Sequence, residues 1–169
     1  MLITHDYLKL NSEMHSSHAG YGSAGWQWIG PIIYFMRSAG AKTVLDYGAG
    51  KATLAAWMPS EYPVTNYDPV TFPDEPAPQD FLVCLDVLEH IEPDCLDDVL
   101  RHMRSKTKRA GLLVISTREA NKTLKDGRNA HLIVQPKEFW IPRVQQFFRK
   151  VQQIKGIGSA TELTLVVGV

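Results

Sequence analysis

The chain has 169 residues, of which 44% are apolar and 21% charged, a composition that fits one globular domain and not a disordered or membrane-embedded chain. Its 18 Lys and Arg balance 18 Asp and Glu, which argues against a grip on a long polyanion, although a local basic patch stays open. The two cysteines, Cys84 and Cys95, lack metal-ligand spacing, and the N-terminus has no long apolar run, so a soluble cytoplasmic protein with free thiols is expected.

The first thirty residues are rich in Gly, Ser, His and aromatic side chains, among them Tyr7, His15, His18, Tyr21, Trp26 and Trp28, and read as a cover rather than a strand. Pro31 suits the first turn of a helix reaching about Ser38, with Gly40 placed to cap it. Residues 43–47 form a short apolar strand closed by Gly48 and Gly50, and residues 51–58 hold good helix formers. A second strand, residues 64–67, ends at Asp68 and Pro69. An acidic, Pro-rich loop follows, and residues 81–85 are apolar throughout, as in a strand covered on both faces.

Residues 94–106 predict a helix with Leu96, Val99, Leu100 and Met103 on one face. Its acidic start, and the basic cluster of Arg101, Arg104, Lys106, Lys108 and Arg109 at its end, complement the helix dipole; a phosphate or nucleic-acid patch is the alternative. Residues 111–116 form another buried strand, followed by a polar loop from Asp126 to His131. Residues 136–148 are helical with a kink or break at Pro142. Residues 151–157 and 163–169 close the sheet as a hairpin. Strands alternating with helices imply an α/β, mostly parallel sheet, which binds ligands outside the carboxyl ends of its strands.

The main motifs lie at such ends. Gly48 and Gly50, with Ala49 between them, let the backbone turn sharply and approach a ligand, while the start of the next helix offers free amides. Asp68, at the end of the second strand, can accept bonds from two sugar hydroxyls; its plainer reading is a turn carboxylate ahead of Pro69. Thr53 stands where a dinucleotide-binding loop needs a third glycine, which lowers the standing of a nicotinamide oxidoreductase.

Asp46 to Gly50, then Asp68, then Asp86-Val87-Leu88-Glu89-His90-Ile91 together resemble class I S-adenosylmethionine-dependent methyltransferases. The resemblance implies a Rossmann-like three-layer sandwich with seven strands and a C-terminal antiparallel hairpin, shortened here around the third strand because residues 70–79 are few and Pro-rich. It implies that residues 1–169 are one methyltransferase domain, with residues 1–40 a cover and helix and residues 41–169 the cofactor-binding core. Asp46, Gly48, Ala49 and Gly50 would line the methionine half of S-adenosylmethionine, Asp68 would hold its ribose, and Asp86 would sit near its amino group. Pro69, Val87 and, from the cover, Tyr21 complete the cofactor set. Leu88, Glu89 and His90 would face the substrate. The loop departs from the family in carrying Ala52 as its third small residue. The whole pattern also resembles very small stand-alone methyltransferases of bacteriophages.

Methyl transfer to a neutral oxygen or nitrogen needs close positioning and a group that takes the proton. His90 and His131 are the candidate bases, both expected to titrate near neutral pH. Asp126, Arg128 and Asn129 are candidate substrate contacts, with Arg128 able to clamp a carboxylate or phosphate; the plainer reading is a turn in which Arg128 pairs with an acidic residue. The histidines His5, His15, His18, His90, His102 and His131 match no metal-site spacing, and no metal is expected. The expected substrate is a small molecule or nucleotide, with nucleic acid possible, a partner chain possible for substrate selection, and no membrane. The alternatives are a nucleic-acid base methyltransferase and a non-catalytic S-adenosylmethionine-binding module.

Overall fold

The structure, a computed structural model, describes residues 1–17 and 25–169; His18 and Tyr21 lie outside the described residues. A helix α1 (His5–Ser17) leads through a short 3-10 turn, Gly25–Trp28, into α2 (Ile29–Ser38). Then come β1 (Val44–Tyr47), α3 (Thr53–Trp57), β2 (Val64–Tyr67) and β3 (Gln79–Leu85). After two single turns, Leu88–His90 and Pro93–Cys95, the chain continues as α4 (Leu96–Ser105), β4 (Thr107–Ser116), α5 (Lys137–Gln145), β5 (Lys150–Ile154) and β6 (Glu162–Gly168).

The six strands lie in the order β2-β1-β3-β4-β6-β5. The first four are mutually parallel, and β6 runs antiparallel between β4 and β5. The α/β, Rossmann-like expectation is met with one strand fewer than seven. Where the additional strand would lie, the chain folds back at once: Asp68 and Phe72 exchange backbone bonds of 3.0 and 2.9 Å. Prolines at 69, 73, 76 and 78 deny the segment the amide donors that a strand needs.

Alternate residues of the central strands face opposite layers. Leu82, Cys84, Leu113 and Ile115 pack with α4 and α5, whereas Phe81, Val83, Leu112 and Val114 pack with α2 and α3. That division explains why β3 and β4 are apolar without a break. Strand β4 begins at Thr107, four residues before the expected start, so Lys108 and Arg109 are strand residues rather than a helix end. The basic cluster is largely paired: Arg101 with Asp98, Lys106 with Glu75, Arg109 with Asp80. Pro142 sits inside α5, which ends three residues earlier than expected.

The N-terminal cover is a helix. Tyr7 and Met14 are buried and Leu10 is partly buried, at i, i+3 and i+7, and they pack on Leu124 and Ala130. The helix is tied down ahead of its first turn, where the Thr4 amide and hydroxyl donate to the two oxygens of Glu92 at 2.9 and 2.7 Å. Helix α3 is shorter than the sequence implies. Gly50 and Ala52 have φ of 51° and 55°, so the helix begins only at Thr53.

Two substitutions of opposite sign test this packing. A Cβ on Gly111 would lie 2.8 Å from the Leu82 carbonyl oxygen on β3, so Gly111→Ala is expected to cost about 1–3 kcal/mol through strand displacement. Ala52→Gly relieves a left-handed L-residue and is expected to add up to about 1 kcal/mol. Denaturant midpoints of the two variants, which should move in opposite directions, check both.

Candidate active site

The carboxyl ends of β1, β2 and β3 open on a cavity of about 260 Å³. Asp46, Gly48, Ala49, Gly50, Asp68, Pro69, Asp86, Val87 and His90 all line it, so most residues singled out for the cofactor meet in one place. Helix α1 contributes Tyr7, Asn11 and His15 to the same wall.

Shape at the first loop is set by Gly48, whose φ is 83°. A Cβ there would lie 2.3 Å from Val87 Cγ2, so the loop after β1 rests directly on the loop after β3. Within this loop the amides of Gly48, Ala49, Gly50 and Ala52 are already engaged. Gly48 and Ala49 both donate to the Tyr67 carbonyl at 2.8 and 3.0 Å, and Ala52 donates to Ala49 at 2.8 Å. The glycines therefore serve close approach rather than anion binding.

Asp68 is more deeply engaged than either sequence reading allowed. One oxygen accepts from Gly50 at 3.2 Å; the other accepts from Val70 and Thr71 at 2.9 and 3.1 Å. Thr71 Oγ1 returns a bond to the Gly50 carbonyl at 2.7 Å. The carboxylate is thus both a turn cap and a cavity wall, and with about four lone-pair positions it retains capacity for another donor.

Asp46 is 5% exposed, and burial together with the Asp68 carboxylate pushes it up to about 7. Asp86 has a φ of 53°, a left-handed backbone at the mouth of the site, and burial followed by Glu162 raises it to about 6. Neutral or half-ionised carboxyls facing a cavity call for a cationic partner, which restores their ionisation.

Leu88 and Glu89 are 0% exposed and turn into the protein rather than toward a substrate. Glu89 Oε1 accepts from the Ser116 amide at 3.0 Å, and burial with Asp86 nearby raises the carboxyl to about 8. His90 Nδ1 lies 2.7 Å from the Ala130 carbonyl, and its ring meets that of His131 edge-on at 4.7 Å. The expected titration near neutral pH is corrected: burial, then His131, lowers His90 to about 4, and burial also lowers His131. His131 lines a second, adjoining depression with Asn129, Pro93 and Phe139, so the ring pair stands between the two hollows.

The loop carrying Asp126, Arg128 and Asn129 is occupied with itself. Arg128 pairs with Asp126 at 2.7 Å and lies over the Tyr7 ring at 5.9 Å, so neither residue reaches the cavity wall. Asn129 Oδ1 accepts from Ala120 and His131 amides at 3.0 and 2.9 Å, and Nδ2 donates to the Ala120 carbonyl at 2.9 Å. Its contact is with the backbone that carries His131.

One network escaped the sequence reading. The Tyr47 hydroxyl meets His102 Nδ1 at 2.8 Å, and His102 Nε2 meets Glu75 at 3.0 Å, with Lys106 on the same carboxylate. It ties the Pro-rich loop to α4 beside Tyr67, at the side where the missing strand would have stood. The only hint in the sequence is the i, i+4 pairing of His102 with Lys106 on one helix face. Helix α1 also escaped the sequence reading as a helix, although the spacing of Tyr7, Leu10 and Met14 carries the signal.

The methyltransferase domain family matches residues 29–164. No curated protein matches the sequence at a significant level. Among solved structures, a Burkholderia thailandensis 1,6-didemethyltoxoflavin-N1-methyltransferase, bound to 1,6-didemethyltoxoflavin and S-adenosylhomocysteine, superposes with a TM-score of 0.64 at 15% identity, covering 99% of this chain and 91% of that one. The DhpI complex with S-adenosylhomocysteine gives 0.63 at 13% identity, with 97% of each chain covered. PigF with S-adenosylhomocysteine gives 0.62 at 13%, covering 96% of this chain and 61% of that one. The chain belongs to the methyltransferase domain family and is a class I S-adenosylmethionine-dependent methyltransferase. No helix among the described residues is long and apolar enough to cross a membrane.

The cavity suits that cofactor. Two buried carboxyls, Asp46 and Asp68, line it beside the Gly48 turn, a set whose chemistry fits a cationic amino acid joined to a sugar. Because Asp46 is raised to about 7 from an ordinary 3.8, its contribution to stability is present below about pH 4 and lost as pH rises through about 7. Asp46→Asn should therefore melt close to wild type at pH 4 and increasingly above it up to pH 7 in the absence of cofactor. Melting curves over that range check the sign; a variant less stable than wild type at pH 7 would contradict it.

Proposed function

We propose that the protein moves a methyl group from S-adenosylmethionine to an oxygen or nitrogen atom of a small molecule or nucleotide. The observation that carries this reading is the pair of buried carboxyls, Asp46 and Asp68, at a glycine turn that no side chain could occupy. The bound cofactor supplies an electrophilic methyl on a sulfonium that loses its charge on transfer.

In this reading Asp46 holds the ammonium of the methionine portion, the Gly48–Gly50 turn lines it, and Asp68 accepts from the ribose with its remaining lone pair. Asp86, Val87 and Pro69 form the adjoining wall, and Tyr21 belongs to the same set from the N-terminal segment. Helix α1 covers part of the cavity through Tyr7 and Asn11. His90 and His131 stand on the acceptor side. Their lowered pKa values make them hydrogen-bond acceptors that orient an O–H or N–H rather than strong bases. Asn129 positions His131, while Asp126 and Arg128 brace the loop.

A small acceptor is supported by the roofed cavity, and a similar fold holds 1,6-didemethyltoxoflavin beside S-adenosylhomocysteine. Two buried free cysteines fit a cytoplasmic setting.

Calorimetric titration with S-adenosylhomocysteine tests the reading. Wild type should bind one equivalent, and Asp46→Asn and Asp68→Asn should each weaken binding by about 10- to 100-fold, the loss of a charge-assisted bond. Absence of binding to wild type would overturn it, as would affinity untouched in both variants. Turnover with small oxygen and nitrogen acceptors then identifies the substrate class.

A further inference from the structure

Beside the cavity two imidazoles and one carboxylate converge. Glu89, His90 and His131 each offer one ligand atom, and the three atoms lie within 4.8 Å of one another. They come from separate parts of the chain, the turn after β3 and the loop after β4, and the sheet brings them together.

Both rings are held by the same device. Nδ1 of His90 donates to the Ala130 carbonyl at 2.7 Å, and Nδ1 of His131 donates to the Arg118 carbonyl at 2.6 Å. A carbonyl only accepts, so each Nδ1 carries the proton and each Nε2 the lone pair, the tautomer in which metal-bound imidazoles are oriented. Asn129 adds a further hold, accepting the His131 amide at 2.9 Å.

The carboxylate supplies an independent sign of a ligand. Glu89 is 0% exposed, Oε1 is occupied by the Ser116 amide, and Oε2 is buried with no hydrogen-bond partner. Buried carboxylates are ordinarily paired or coordinate a metal.

We propose that Glu89, His90 and His131 bind one divalent transition-metal ion, of the class that takes mixed nitrogen and oxygen ligands: manganese(II), iron(II), cobalt(II) or zinc(II). Three protein ligands leave coordination positions for water or an acceptor atom, and His90 borders the cavity while His131 borders the adjoining depression. An ion there takes over from the imidazoles the task of orienting the acceptor. The site stands on its ligand geometry and is measured without turnover, so it succeeds or fails apart from the methyl-transfer reading.

Tag-free protein, stripped with a chelator, is titrated with cobalt(II), followed by visible absorption, and with manganese(II), followed by the resonance of the free ion. The expected result is one equivalent bound, with a rise in melting temperature. His131→Ala should weaken binding by at least about tenfold, and Glu89→Gln should do the same, both with an unchanged circular dichroism spectrum in the absence of metal. His5→Ala, at an exposed histidine remote in sequence, should bind as wild type does. Failure of wild type to bind any of cobalt(II), manganese(II) or zinc(II) stoichiometrically overturns the proposal, and so does equal affinity in His131→Ala.

Discussion

The contact between the Gly48 backbone and Val87 sets the geometry on which the rest of the site depends. With only 2.3 Å between Val87 Cγ2 and the position a Cβ would take, the loop after β1 touches the loop after β3 through the Val87 side chain alone. The Tyr67 carbonyl, bonded to two successive amides of the first loop, draws in the end of β2 as well. Three strand ends are thereby pinned to one point, and Asp46, Asp68 and Asp86 arrive at a common cavity because their strands do.

That concentration of carboxyls has an electrostatic consequence. Burial raises Asp46, Asp86 and Glu89 together, and the neighbouring carboxylates add to the effect. Lys122 lines the same cavity and Arg118 acts on Asp86, but Asp46 and Asp86 stay raised, so a cationic ligand would restore their ionisation. In the proposed function a sulfonium with an ammonium group answers the acidic pair at β1 and β2. The carboxylate after β3 faces two imidazoles instead, and the two halves of the site therefore differ in chemistry.

Supporting structure surrounds both halves. Helix α1 is fastened at Thr4 to Glu92 and packs against the loop that Asn129 organises, so roof and acceptor side share a small core of Tyr7, Met14, Leu124 and Ala130. On the opposite side, Tyr47, His102, Glu75 and Lys106 stand in for the absent strand by tying the Pro-rich loop to α4. Polar residues that look like substrate contacts in a linear reading, Arg128 and Asn129 above all, are here the fastenings of a wall.

Local signals carried most of the fold. Residues 64–67 are a strand in the sequence and in the structure, the apolar runs of β3 and β4 announce a sheet covered on both faces, and the stretch from Asp46 to Gly50 marks a cavity-lining turn. These are properties of neighbouring residues, set by steric permission at glycine, by hydrophobic periodicity and by proline's missing donor. Whether the loop amides are free and whether His90 titrates near neutrality depend on partners far along the chain and on depth of burial. The Tyr67 carbonyl, the Ala130 carbonyl and the His131 ring are such partners. Only the packed sheet, by excluding water from them, decided what those side chains can do.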